Sequence, residues 1–137
     1  IMARRRPKKI EFLARGWIVR RGRVLLCRGQ DTAYWYLPGG HIDPGESAAD
    51  ALRRELLEEA QLSVRLRRVL CVHEHLFTQG KKPRHEITVV YEASPSSALG
   101  QVEPGLEFRW INITQLEREN VLPKDLIHTL SSGGLHI

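Results

Sequence analysis

GHIDPGESAADALRRELLEEAQL, running from Gly40 to Leu62, holds the clearest turn and the clearest helix of this chain. Asp43-Pro44-Gly45 is a turn signal, since proline pre-sets one φ and glycine accepts conformations that other residues resist. Ser47 then stands where an N-cap is expected. Ala48 to Ala60 contains no glycine or proline and consists largely of Ala, Leu, Arg and Glu, the strongest helix formers. The spacing predicts a loop followed by a helix over residues 48–60.

On a wheel turning about 100° per residue, Glu58 and Glu59 fall within roughly 60° of Glu55, so these carboxylates share one face. Like charges three or four residues apart destabilise a helix by about 0.2 to 0.5 kcal/mol per pair. Water could carry that cost, as it does for most surface glutamates. A solvated acidic face, however, would put the apolar residues on the far side of the wheel. Ala48, Ala51 and Leu52 instead lie on the side of Glu55, while Ala49, Asp50 and Arg53 lie opposite, with Leu57 the exception. The acidic cluster is therefore expected to face the protein body, where a divalent cation or an arginine would have to compensate it. Arg54 is adjacent, and Mg²⁺ or Mn²⁺ are hard cations that take carboxylate oxygens. Both remain open on the residues alone.

Upstream, Ile10 to Arg20 and Arg23 to Cys27 read as two strands joined by a tight turn at Arg21-Gly22. Tyr34-Trp35-Tyr36-Leu37 reads as a short aromatic strand stopped by Pro38-Gly39-Gly40. Its aromatics could stack on a base, but alternation on a strand more often sends one side to the core, and Trp110 is expected there too. Downstream, Val64 to Leu76 and Glu86 to Ala93 are β-rich around the polar turn Gln79 to Pro83, and Ser94 to Gly100 reads as a loop. Phe108 to Ile113 is the last expected strand. Thr114 to Glu119 is helix-like, Pro123 interrupts it, and Asp125 to Leu130 forms a final turn or two. Strands on both sides of one central helix, with a second helix late, point to a layered α/β domain with a mixed sheet.

The 137 residues suit one domain with its own core. Composition is that of an average globular domain, 42% hydrophobic and 27% charged, and no apolar run is long enough to span a membrane. We expect a flexible basic arm at residues 1–9, one domain at 10–130 and a flexible tail at 131–137. The arm carries Arg4, Arg5, Arg6, Lys8 and Lys9, part of a net charge of +5. Such a surface attracts polyanions, nucleotides and nucleic acids alike, though a solubilising tail explains it equally well. Lys81, Lys82 and Arg84 beside His85-Glu86 read the same way, as an exposed hairpin tip before a phosphate contact. Ile1 to Lys9 lacks the apolar stretch of a secretory signal, so a cytoplasmic location is expected, with Cys27 and Cys71 reduced. Cys71, His73 and His75 do not have the ligand spacing of a zinc site.

Gly40, five residues, Glu46, seven residues and then Arg54-Glu55-Leu56-Leu57-Glu58-Glu59-Ala60-Gln61-Leu62 closely resemble the Nudix box. A chance match of this kind has odds on the order of one in a hundred thousand. Trp35 to Gly39 and Arg109-Trp110 also look like the family, so the resemblance spans most of the chain. One position departs: Gln61 stands where the family usually has glycine, which would supply a left-handed helix cap. Glutamine there costs roughly 1 kcal/mol or forces another loop path.

The resemblance implies an α/β/α sandwich with a mixed central sheet. It implies that Glu55, Glu58 and Glu59 hold Mg²⁺ or Mn²⁺, joined by the Gly40 carbonyl, and that Glu46 and Arg54 orient or neutralise the cluster. The activity implied is direct attack of water on the pyrophosphate linkage of a nucleoside diphosphate derivative or a nucleoside triphosphate. The general base would be Glu55 or a residue of a later loop, for which Glu103 and Glu107 are the candidates. Two other readings stand beside it: a catalytically silent Nudix-like module that binds nucleotide or protein, and an RNA decapping-like hydrolase, for which the basic arm is the sole hint. The partner expected is a small nucleotide-type substrate, with no membrane, nucleic acid not favoured, and a homodimer left open because family members often dimerise.

Overall fold

The computed structural model describes residues 5–133. β1 (Glu11–Arg20) and β2 (Arg23–Gly29) form the expected hairpin, turning through Arg21 and Gly22, both at positive φ. There follow β3 (Gly39–His41), α1 (Ala48–Ala60), β4 (Val64–Gln79), β5 (Lys82–Pro95), β6 (Leu106–Asn112), a 3-10 helix (Ile113–Arg118) and α2 (Lys124–Ser131). The sheet order is β4-β5-β1-β2-β6, with β3 set against β1. β1 and β5 run parallel from Glu11↔Glu86 to Ile18↔Ala93, while the other pairs are antiparallel, so the sheet is mixed.

Each face of the sheet buries a separate core. α1 contributes Ala51, Leu52, Leu56 and Ala60, which pack on Ala14, Ile18 and Leu25. On the other face Leu116, Leu126, Ile127 and Leu130 pack on Trp17, Val24, Leu26 and Val90. A fully buried leucine contributes roughly 1.5 to 3 kcal/mol, and this apolar stripe fixes the rotation of α1. The architecture is the α/β/α sandwich. No described helix is long and apolar enough to cross a membrane.

β1 matters most for the site. Leu13 to Arg15 pair with β3, whereas Val19 and Arg20 pair with β2 on the same edge. Between them the Gly16 amide bonds to the Pro38 carbonyl at 2.9 Å, outside any strand ladder. The sheet is therefore split at this edge.

Four local expectations need correction. Tyr34 to Leu37 is not a strand: Trp35 makes one bridge to Val121 and Tyr36 one bridge to Cys27, and neither is extended by a neighbouring pair into a ladder. Gly39-Gly40 does not stop the chain but enters β3. At Gly39, φ is +141°, and a β-carbon would lie 2.1 Å from the Ala14 carbonyl oxygen, so only glycine permits this pairing. The hairpin between β4 and β5 is longer and tighter than expected, turning at Gly80-Lys81. The last helix also runs through Ser131. Arg5 donates to the Lys81 carbonyl at 3.0 Å, laying the segment before β1 along this hairpin. Arg4 of the expected arm and residues 134–137 of the expected tail lie outside the described residues. Cys27 and Cys71 are free thiols, as expected. His73 contacts Asp125 at 3.1 Å, and His75 stacks on Phe77, so these side chains do not gather around Cys71.

Candidate active site

The loop ahead of α1 folds by its own side chains. The Glu46 amide donates to the Asp43 carbonyl, the Asp43 amide donates back to Glu46 Oε1 at 3.1 Å, and Ser47 Oγ caps the Asp50 amide at 3.1 Å. This holds Glu46 facing Arg54, two helical turns on. Arg54 meets it bidentately, Nε to Oε2 at 2.7 Å and Nη2 to Oε1 at 3.0 Å. The same guanidinium donates to Glu55 at 3.0 Å, to Glu58 at 3.2 Å and to the His41 carbonyl at 3.1 Å. One fork thus joins loop, helix and β3. The hydrogen bond from Arg54, with that of the Asp43 amide, holds the Glu46 carboxyl below its ordinary range, and Arg54 is held firmly protonated.

The three helix carboxylates are not equivalent. Glu55 is mostly covered, its side chain 17% exposed, and lies against Gly40, where a β-carbon would fall 2.5 Å from its carboxyl carbon. Glu59 is part-buried, and burial pushes its carboxyl up, followed by its hydrogen bond to Glu55 and the charge of Glu55; Arg15 opposes the rise. Glu58 is 55% exposed at the rim. The inward orientation read from the wheel therefore holds for Glu55 and Glu59 more than for Glu58.

These donors suit a hard cation. They are carboxylate oxygens beside a glycine that leaves room for them, and the negative charge of Glu55 disfavours the charged form of Glu59, a cost that a cation beside them would relieve. Among the described residues no three carboxylate, imidazole or thiol groups close on a common point, and Arg54 supplies the compensation seen.

Reading the sequence missed the other wall. Arg15 donates to the Leu37 carbonyl at 2.7 Å, and its guanidinium lies 5.3 Å from the Tyr36 ring centre, close enough to favour the charged form of Glu59. A signal existed, a single arginine inside the apolar run Phe12 to Val19. Behind it Cys27 is buried, which pushes its thiol up to about 12, and Tyr36 is likewise pushed up by burial.

The two later-loop glutamates differ. The Gly100 amide bonds to the Ala60 carbonyl at 2.9 Å and the Glu103 amide to the Glu59 carbonyl at 2.7 Å, fixing this loop on the end of α1. The charge of Glu103 is felt by Glu59. Glu107 is instead engaged by Arg28 Nε at 2.9 Å. Gln61 adopts the left-handed conformation despite its β-carbon, φ 47° and ψ 41°, and its Oε1 accepts the Gln101 amide at 3.1 Å. The helix cap survives without glycine because its side chain gains a partner.

A family model for the NUDIX domain matches residues 12–130. The chain belongs to the Nudix family. Among solved structures, the MutT NUDIX hydrolase of Burkholderia pseudomallei is 31% identical to this Nudix chain, with a TM-score of 0.64 over 78% of this chain and 86% of that one. The MutT protein of Methanosarcina mazei Go1 shares the fold at 19% identity, TM-score 0.75, over 96% and 99% of the two chains. The 8-oxo-dGDP phosphatase of Homo sapiens is 46% identical over 48 residues, which is 35% of this chain and 14% of that protein. The RNA pyrophosphohydrolase of Serratia proteamaculans (strain 568) is 45% identical over 51 residues, 37% of this chain and 29% of that one. The matched stretches span less than half the length of these curated relatives.

Proposed function

We propose that this Nudix protein is a divalent-metal-dependent pyrophosphohydrolase that cleaves the diphosphate linkage of a nucleoside diphosphate derivative or a nucleoside triphosphate by direct attack of water. The observation that carries this reading is the placement of Glu55 and Glu59 at the split edge of the sheet, beside Gly40 and opposite Arg15. The nucleotide-directed names of the relatives support the same substrate class.

Glu55, Glu58 and Glu59, with the Gly40 carbonyl, would hold Mg²⁺ or Mn²⁺. Such an ion supplies Lewis-acid polarisation of the phosphate and lowers the pKa of bound water. Glu46 and Arg54 position the cluster: Arg54 grips Glu55 and Glu58 from one side, and Glu46 keeps that fork from rotating. Arg15 acts on Glu59 with a fixed positive charge and is the protein group suited to a phosphate oxygen. Glu103 accepts the proton of the attacking water in this reading. Its backbone is anchored to Glu59, whereas Glu107 is spent on Arg28. Glu55 remains the other candidate for the base.

The test is release of phosphate or nucleoside monophosphate from a panel of nucleoside di- and triphosphate derivatives, with Mg²⁺, Mn²⁺ or a chelator. Wild type should turn over only with metal. Glu58→Gln should lose roughly a hundredfold or more in kcat, the scale at which one transition-state charge stabiliser acts. Nucleotide binding without turnover by wild type would refute the reading in favour of a silent binding module.

A further inference from the structure

The segment ahead of β1 and the tip of the β4–β5 hairpin enclose an open cleft of about 580 Å³. Arg5, Arg6, Lys8 and Lys9 line one wall, and Lys81 and Lys82 the other. Among the described residues none of these six has a carboxylate within ion-pair distance, and Arg5 bonds a backbone carbonyl. Arg84 adds a seventh cation at the base. It is held by Glu11 at 2.7 Å, and its Nε is buried with no partner. Glu11 is the cleft's carboxylate, and it is already committed to Arg84 and to His41, at 2.9 Å. Like charges gathered on two facing walls repel one another, so the cleft is stabilised by whatever polyanion enters it.

We propose that this cleft binds single-stranded nucleic acid through its phosphates. The cations are spread over both walls of an open trough, which suits a run of phosphates better than one phosphate group. Among the described residues no aromatic side chain lines the cleft, so bases have nothing there to stack on and binding is blind to sequence. One residue of the cleft, Glu11, is also linked by contacts to the candidate active site. Glu11 bonds the His41 ring, the His41 carbonyl accepts from Arg54, and the neighbouring Gly40 touches Glu55. The binding site does not depend on the helix carboxylates being catalytic.

The probe is a fluorescein-labelled twelve-residue oligouridylate, followed by fluorescence anisotropy of the full chain across a salt series. Four or five phosphate contacts give a slope of log affinity on log salt of about −3. Lys81→Glu/Lys82→Glu, at the exposed tip, should flatten that slope by about 1.4 and weaken binding at least tenfold at about 100 mM salt. Arg20→Glu/Arg23→Glu makes the same change in net charge at the other end of β1, about 30 Å away, and should weaken binding far less. Oligoadenylate should bind as oligouridylate does, and small-nucleotide turnover by the tip variant should match wild type. The proposal is overturned by absence of binding at about 50 mM salt, by equal losses in the two variants, or by inorganic polyphosphate of equal phosphate number binding tenfold tighter than the oligonucleotide. Absence of small-nucleotide hydrolysis by wild type would refute the hydrolase reading and leave this binding result standing.

Discussion

Gly40 and Glu55 are in contact so close that a β-carbon on Gly40 would fall 2.5 Å from the Glu55 carboxyl carbon and 2.6 Å from one of its oxygens. Gly40→Ala therefore displaces Glu55 and, with it, the Arg54 fork. We expect kcat/KM to fall about a hundredfold, the scale at which a misplacement near 1 Å acts, while the main cores on both faces of the sheet are untouched. Steady-state kinetics beside a thermal melt separates these outcomes; a melt lowered by more than about 8 °C with no separate kinetic loss would show damage to the fold instead.

Arg54 serves Glu46, Glu55, Glu58 and the His41 carbonyl with one planar fork. Lysine keeps the charge and cannot reproduce that geometry. Arg54→Lys should lose roughly 10- to 100-fold in activity or in Mn²⁺ affinity, the range typical of groups that orient metal ligands. Metal titration of the variant measures it, and wild-type affinity would show that charge alone suffices.

Gln61→Gly relieves a left-handed residue worth roughly 1 kcal/mol but removes the acceptor for the Gln101 amide, a hydrogen bond of similar worth. Global stability should move by less than about 1 kcal/mol in urea denaturation. Hydrogen exchange at Gln101, in contrast, should accelerate, because its amide loses its partner. Unchanged exchange there would mean the loop is held without Gln61.

Burial pushes the Glu11 carboxyl up, yet the His41 hydrogen bond and Arg84 outweigh it and hold the group below its ordinary value of 4.5. A carboxyl lowered on folding stabilises the native state fully above its unfolded pKa, and that contribution is lost as pH falls through the folded value. Wild type should thus exceed Glu11→Gln in urea stability at pH 7, with the gap closing progressively below about pH 4.5. A gap that stays constant to pH 3 would assign the effect to packing.

Much of this was legible in the residues. The cap at Ser47, the span of α1 and the mixed sheet follow from local propensity and apolar spacing, which act over a few residues. Glu55 on the inner face of α1 was readable because Ala51 and Leu52 share its side of the wheel. Arg15 stood out as a lone arginine in an apolar run, but its role was not readable, because that comes from β1 lying beside β3 and Pro38, a pairing that no local pattern encodes. Tyr34 to Leu37 misled for a related reason: β propensity describes the residues, whereas their partners at Cys27 and Val121 are set by the tertiary fold. Glu103 and Glu107 looked alike until Arg28, 79 positions from Glu107, was placed beside it.

The loop bearing Glu103 is fastened to α1 through main-chain atoms, amide to carbonyl at Gly100–Ala60 and Glu103–Glu59. Fasteners of that kind are indifferent to which side chain the fastened residue carries. Position 103 is accordingly an interchangeable socket: histidine, aspartate or lysine could be installed there with the mounting left intact, and the chemistry facing the helix could be redesigned without rebuilding the scaffold that presents it.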